Sequence, residues 1–316
     1  MDEHSPSSSR VHTLNALQEQ IMALLPEPGR LQTTLSHVHV SHLSVSSGME
    51  HCFYSPGAAF IISGRKHAHL GRKTVTYGAG YCMVAAVDMP SAYEILDVSP
   101  EHPFLSVMVS LDAALIADCL QLFSPQYFKD AKDADSEGAV IIEASDTLLM
   151  LVKRLLEQHG KPQAEIMEPL LLREFFIELL QGPAGASLRG IFRRDSRAHK
   201  IAETVHYLRD HYREPLNIKA LADMVYMAPS TFFKHFKAVT TLSPLQYHKR
   251  LRLYEAKRLL LTERCTVAEA CYSVGYESQQ QFTREYKRMF GRPPRRDTHD
   301  GSAFSVEDQA KKDENR

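Results

Sequence analysis

Apolar and polar positions follow three successive periods along the chain. From about residue 31 to 111 the apolar residues come in short runs, FIISGRKHAHL, TVTYGAGYCMVAAV, AYEILDV and PFLSVMVSL, broken closely by Gly, Pro, Asp and Ser. Such runs predict the strands of a β-barrel or sandwich. From about 112 to 180 the period lengthens and predicts helices over 112–122, 144–159 and 163–180. In the last, Ile166, Met167, Leu170, Leu171, Phe175, Ile177 and Leu179 make an apolar surface wider than one amphipathic face. That surface is expected to pack on its own domain, on a second copy, or on both, with Leu171 and Phe175 in a symmetric dimer contact. A polar arm and a short helix over 14–25 precede the strands.

The third period is a repeat. KALADMVYMAPSTFFKHFKAVTTLSP aligns with EACYSVGYESQQQFTREYKRMFGRPP at a spacing of 50 residues. Ala220 then matches Ala270, Tyr226 matches Tyr276, Phe232 matches Phe282, Lys234 matches Arg284, Phe236 matches Tyr286, Lys237 matches Lys287 and Pro244 matches Pro294. Phe232, Phe236 and Val239 form one helical stripe, and Phe282, Tyr286 and Met289 form another. Each unit reads as a short helix, a break and a second amphipathic helix, over about 218–239 and 266–289. Gly275 suits the second break, and Pro229 suits the first turn of the helix after the first break. This is helix-turn-helix logic twice over. The basic helix LQYHKRLRLYEAKRLLL between the units sets their spacing. Two recognition helices enter successive major grooves when held about 34 Å apart.

Charge separates the halves. The whole chain of 316 residues is near neutral at −1, but residues 1–196 balance to −8 and residues 197–297 to +9. Only the C-terminal block is therefore expected to meet a polyanion. The segment 183–196, rich in Gly, Ser and Arg, reads as a linker between domains 1–182 and 197–297, and 298–316 reads as a disordered tail. The N-terminus lacks a signal-peptide pattern, and no apolar run is long enough to span a membrane. The five cysteines form no CxxC pair, which points to buried thiols in a reduced, cytoplasmic protein.

The stretches APSTFFKHFK, LSPLQYHKRLRLYEAKRLLL and SVGYESQQQFTREYKRMFGRPP resemble the AraC/XylS family of transcription regulators over essentially all of 197–297. SGRKHAHLG, VTYGAGYCMVAAVDMP and SPEHPFLSVMVSLD resemble the effector-type N-terminal domain of one AraC subgroup. The resemblance implies an α+β chain: an N-terminal cupin-like β-barrel with trailing helices, then an all-α domain with two helix-turn-helix units. Family members often carry a polar residue where this chain has Phe233 and Arg where it has Lys234. Subgroup members tend to have Pro and Ser at Gln279 and Gln280. These departures bear on which DNA sequence is read.

The family pattern and the outward helix faces place Ser230, Thr231, Phe233 and Lys234 of the first unit in the groove. Lys234 reaches a guanine edge or only a phosphate; Phe233 presses on a thymine methyl or packs on the intervening helix. In the second unit Gln279, Gln280, Gln281, Thr283 and Arg284 face the groove, with at least one glutamine simply solvated. Arg284 is the leading base contact, while Lys237, Lys287 and Arg288 are assigned to phosphates. His37 with His39, and His67 with His69, form HxH pairs on strands, but neither has a glutamate at the distance a metal cupin needs. They read as surface or pocket-lining histidines. Cys82 reads as core, and Cys52 as core or a reactive thiol.

The resulting expectation is a non-enzymatic, effector-responsive regulator without a metal or cofactor, whose effector-binding residues stay unassigned. Its partners are double-stranded promoter DNA, a small molecule bound in a mixed apolar pocket between the strands, RNA polymerase and a second copy. The rivals are a metal-dependent cupin enzyme fused to a DNA-binding module and an architectural DNA binder with an inert barrel.

Overall fold

The computed structural model describes residues 8–46, 48–71, 73–124, 137–194, 196–263 and 265–297, so the tail read at 298–316 lies outside the described residues. The first helix, α1 (Ser8–Leu24), starts earlier than its apolar pattern does. Arg10 explains this, because its guanidinium donates to the carbonyls of Gly80 and Ala144 and anchors the first turn. Ten strands follow among the described residues: β1 (Gly29–Gln32), β2 (Val38–Leu43), β3 (Glu50–Tyr54), β4 (Gly57–Ser63), β5 (Arg65–Leu70), β6 (Lys73–Gly78), β7 (Tyr81–Ala85), β8 (Met89–Leu96), β9 (Phe104–Ser110) and β10 (Ala139–Glu143). They form two antiparallel sheets, ordered β1-β2-β9-β4-β7-β10 and β3-β8-β5-β6.

Alternation along the strands decides what each face does. On β9, Leu105, Val107 and Val109 are wholly buried, whereas Ser106, Met108 and Ser110 between them are only partly covered. The first set packs toward the helices and the second points between the sheets. The helices are α2 (Ala113–Gln121), α3 (Asp146–Leu156) and α4 (Ala164–Gln181). Asp112 caps α2 and Ser145 caps α3 through side-chain bonds to the third backbone N–H.

Two expectations change here. Leu171 and Phe175 are 1% and 0% exposed, and the Phe175 ring lies 5.9 Å from that of Phe60. They belong to the core of their own domain and cannot form a dimer contact; the outward apolar residues of α4 are Ile166 and Leu170. The supposed linker is also structured: α5 (Gly185–Phe192) packs its Leu188 and Ile191 inward. Its glycine reports close packing rather than flexibility, since a Cβ on Gly185 would lie 2.1 Å from the Leu180 carbonyl oxygen.

Seven helices complete the described chain: α6 (Arg197–Asp210), α7 (Ile218–Met224), α8 (Pro229–Thr240), α9 (Pro244–Thr262), α10 (Val267–Ser273), α11 (Gln279–Phe290) and α12 (Pro294–Asp297). The units are α7–α8 and α10–α11, joined by α9. The repeat has two registers rather than one. In the short helices, buried Leu221, Ala222 and Val225 correspond to Ala270, Cys271 and Val274, a spacing of 49. In the long helices, Phe232 and Phe236 correspond to Phe282 and Tyr286, a spacing of 50. The second turn is thus one residue longer. Ala220 is exposed and does not match buried Ala270. Tyr226, 91% exposed, matches Gly275 and not Tyr276, since both Tyr226 and Gly275 have positive φ, 56° and 82°. Met227 takes the place of Tyr276: their N–H groups reach back to Ala222 and Cys271 in the same way.

Candidate DNA-binding surface and interior cavity

The caps fix the ends of the helices that matter. Asn217 caps α7, Thr266 closes a capping box on α10, and Ser278 caps α11. After α8 and α11 the chain reverses through left-handed Thr241 and Gly291, and each next helix begins on a buried proline, Pro244 and Pro294. Arg252 of α9 ties the turn of the second unit to the segment that leads into the first: Nε donates to the Tyr212 carbonyl at 2.6 Å, and Nη1 to the Gly275 carbonyl at 3.0 Å.

With Phe232 and Phe236 buried, the other face of α8 points outward. Ser230, Thr231, Lys234 and Lys237 are exposed, and Phe233 is 43% exposed. On α11, with Phe282 and Tyr286 buried, Gln279, Gln280, Gln281, Arg284, Lys287 and Arg288 are exposed and Thr283 is half-buried. Each set therefore shares one helix face. Gln279, Gln280, Thr283 and Arg284 border an open cleft of about 540 Å³ that α12 closes with Arg295. Gln281 differs, because its amide donates to Glu285 at 3.2 Å. Glu285 also accepts from Lys249 at 2.9 Å and Tyr276 at 2.8 Å. Burial raises the Glu285 pKa, but these three donors outweigh it and hold the carboxyl below its ordinary value.

Both units also touch the N-terminal sheets. Asp88, at the foot of β8, accepts from Arg209 Nη1 at 3.0 and 3.1 Å. The Asp88 carbonyl accepts from the buried Tyr247 hydroxyl at 3.0 Å. Burial, then the Asp88 charge, pushes the Tyr247 pKa well up. The Gly138 N–H donates to the Val239 carbonyl at the end of α8. Beside the second unit, the His51 ring meets Phe290 edge-on at 5.5 Å, and its carbonyl accepts from Tyr254. Burial, then the charges of Lys257 and Arg250, lowers the His51 pKa to about 4.

Between the sheets lies a cavity of about 100 Å³. One wall carries His39, Ser41 and Ser106, and the other Lys66, Tyr93 and Ile95; Arg30 reaches in from β1. Ser41 and Ser106 are cross-strand partners. Apart from His39, read as a surface or pocket-lining histidine, none of these residues was singled out from sequence, although serines alternating with Val and Leu on β9 were the available signal. The histidine pairs take separate partners. His37 Nδ1 lies 3.0 Å from Glu168, His39 lines the cavity, and His67 and His69 face Thr76 and Thr74. Among the described residues, no three His, Cys, Asp or Glu gather as a metal-holding group. Cys52 is 1% exposed, which places it in the core rather than on a reactive surface.

The comparisons agree with this two-part build. A family model described as AraC-type transcriptional regulator N-terminus matches residues 34–187, and one described as a helix-turn-helix domain matches 221–298. The HTH-type transcriptional regulator YobQ of Bacillus subtilis is 35% identical over 98 residues, covering 31% of this chain and 40% of that protein. The HTH-type transcriptional activator RhaS of Escherichia coli is 28% identical over 151 residues, covering 47% of this chain and 54% of that protein. The match thus spans about half the length of these relatives or less. A structure of ToxT from Vibrio cholerae with unsaturated fatty acid bound has a TM-score of 0.55, covering 89% of this chain and all of that one, at 10% identity. A second ToxT structure gives 0.56 over 82% of this chain and 96% of that one, also at 10% identity. At such identity the likeness is one of fold. With its strands and first helices matched by one model and its helix-turn-helix region by the other, the chain belongs to the AraC family of transcriptional regulators.

Proposed function

We propose that the chain is a sequence-specific DNA-binding transcription regulator whose N-terminal sheets hold a small-molecule effector. One observation carries the reading: α8 and α11 each present a polar, cationic outer face, and α9 joins the units that hold them. In this reading Lys234 of α8 and Gln279, Gln280 and Arg284 of α11 meet base edges, with Ser230, Thr231 and Thr283 beside them. Phe233, exposed beside Lys234, meets a thymine methyl. Lys237, Lys287 and Arg288 hold phosphates. Gln281 contributes least, since Glu285 already engages it. No residue is assigned to catalysis.

The effector part is supported by the cavity between the sheets and by ToxT, a fold relative whose structure carries a fatty acid. The effector shifts DNA affinity by favouring one arrangement of the sheets against the two units. Action on promoters with RNA polymerase in the cytoplasm belongs to the same proposal. So does pairing of two copies, for which exposed Ile166 and Leu170 replace the buried residues first considered.

The test is genomic crosslinking of the full chain, followed by binding of a recovered site at several salt concentrations. The reading expects a recurring motif bound with steep salt dependence. Enrichment of no motif, with affinity indifferent to sequence, would favour an architectural binder.

A further inference from the structure

The cavity between the sheets has a chemistry that its strands did not need for folding. The same strands of the larger sheet fill their other face with Val40, Phe60 and Val107, all wholly buried. On the cavity face they carry Ser41, Ala59 and Ser106. Larger apolar residues at those three positions would fill the space and add burial at roughly 25 cal/mol per Å². The small side chains keep the space open.

Its charged groups are of one sign. Arg30 and Lys66 line it from opposite sheets, and no carboxylate does. Both cations converge on one ring: Arg30 Nη2 is 3.4 Å from the Tyr93 hydroxyl, and Lys66 Nζ is 4.0 Å from the Tyr93 ring centroid. Glu50 stands outside the lining and accepts from the Tyr93 hydroxyl at 2.6 Å, which fixes the ring. His39 is 8% exposed, and its Nδ1 has no hydrogen-bond partner among the described residues. The His39 ring lines the cavity, and a buried polar atom without a partner is one that a ligand atom can satisfy.

From this geometry we infer that the cavity binds a compact organic carboxylate. The anionic head lies between Arg30 and Lys66 above Tyr93, and His39 Nδ1 supplies one further hydrogen bond. The apolar body lies along Leu43, Phe104 and Met108. An engineered cavity of about 150 Å³ holds benzene, so this smaller space of about 100 Å³ takes a body smaller than a ring, a short chain of a few carbons. Charge-assisted bonds from two cations in a low-dielectric interior discriminate the ionised acid from its neutral isostere. The inference rests on the reading of the N-terminal sheets as the effector site.

Calorimetric titration of the full chain with butyrate, butyramide and butylammonium tests it. The carboxylate is expected to bind at least about tenfold tighter than the amide, and the ammonium not at all. Arg30→Gln and Lys66→Gln are each expected to weaken the carboxylate about tenfold or more and the amide by much less. Ser106→Leu and Ala59→Leu, each checked for an intact thermal transition, should abolish both. Equal binding of acid and amide, or indifference to both cation variants, overturns the carboxylate assignment and leaves the site standing. Undiminished binding in both cavity-filling variants overturns the effector reading of the sheets as well. Absence of carboxylate binding at millimolar concentration overturns the inference.

Discussion

Arg284 and Lys287 sit three residues apart on α11, both exposed, and the chemistry of their tips separates their roles. A guanidinium fork grips guanine O6 and N7 together, whereas an ammonium is a point charge suited to phosphate. Arg284→Ala should therefore cost about 1–3 kcal/mol at one base pair and relax preference there. Lys287→Ala should weaken all sequences nearly alike and lower the salt slope by about one charge. Binding of both variants to a mapped site and its single-base changes decides the matter; uniform loss in both would make Arg284 a phosphate clamp. Gly275 is constrained differently. Its φ is +82°, and a Cβ there would lie 2.2 Å from the Arg213 carbonyl oxygen. Gly275→Ala should destabilise by more than the roughly 1 kcal/mol of a left-handed alanine, because the backbone must also move. Chemical denaturation measures it, and a neutral result would show that the turn relaxes freely.

Among the elements, α4 is tied to the start of β2 by Glu168. It accepts from the backbone N–H groups of Ser36 and His37 and pairs with the His37 ring. The Glu168 hydrogen bond raises the His37 pKa, against burial and with help from the charges of Glu168 and Asp112. Burial raises the Glu168 pKa, but the bonds from His37 and Ser36 leave it lowered. The His37 contribution to stability is full below its ordinary 6.5 and is lost as pH rises through the raised folded value. The Glu168 contribution is present above its ordinary 4.5 and is lost as pH falls through the lowered one. The difference in melting temperature between the native chain and His37→Gln should thus shrink as pH rises above 6.5 and through the raised folded value. A flat difference would show that the ring acts through packing alone. Pattern reading found α4 and most strands, because their periods report burial directly. It failed where the deciding contact is distant in sequence. The segment around Gly185 looks like linker until the Ser187 hydroxyl is seen on the Glu137 carbonyl, and Phe175 looks available until Phe60 covers it. The outward faces of α8 and α11 were legible because they are what remains when Phe232, Phe236, Phe282 and Tyr286 turn inward. The cavity was legible only as a mixed apolar pocket among the strands; its lining was not, since it joins residues from both sheets, Arg30, His39 and Ser41 among them.

At the scale of the molecule, β3 and β8 join the cavity to the DNA-binding units. Tyr93 and Ile95 of β8 line the cavity, and Asp88 at its foot holds Arg209 and Tyr247. Phe53 of β3 meets the rings of Tyr247 at 5.8 Å and Tyr254 at 5.6 Å. An occupant that moves Tyr93 therefore acts on the strand that carries the Asp88 contact. That contact is a nearly buried charge, with the Asp88 side chain 7% exposed and the Arg209 side chain 25%. Removing one partner of such a pair costs about 3–5 kcal/mol, mostly because the other charge stays buried without it. Arg209→Met should consequently lower the melting temperature sharply. Asp88→Asn combined with Arg209→Met should recover part of the loss, since no uncompensated charge remains. The double-mutant cycle in denaturant measures the coupling. Additive losses would mean that the pair is a surface contact that solvent already screens, and the route from cavity to DNA would then have to run through the aromatic contacts of Phe53.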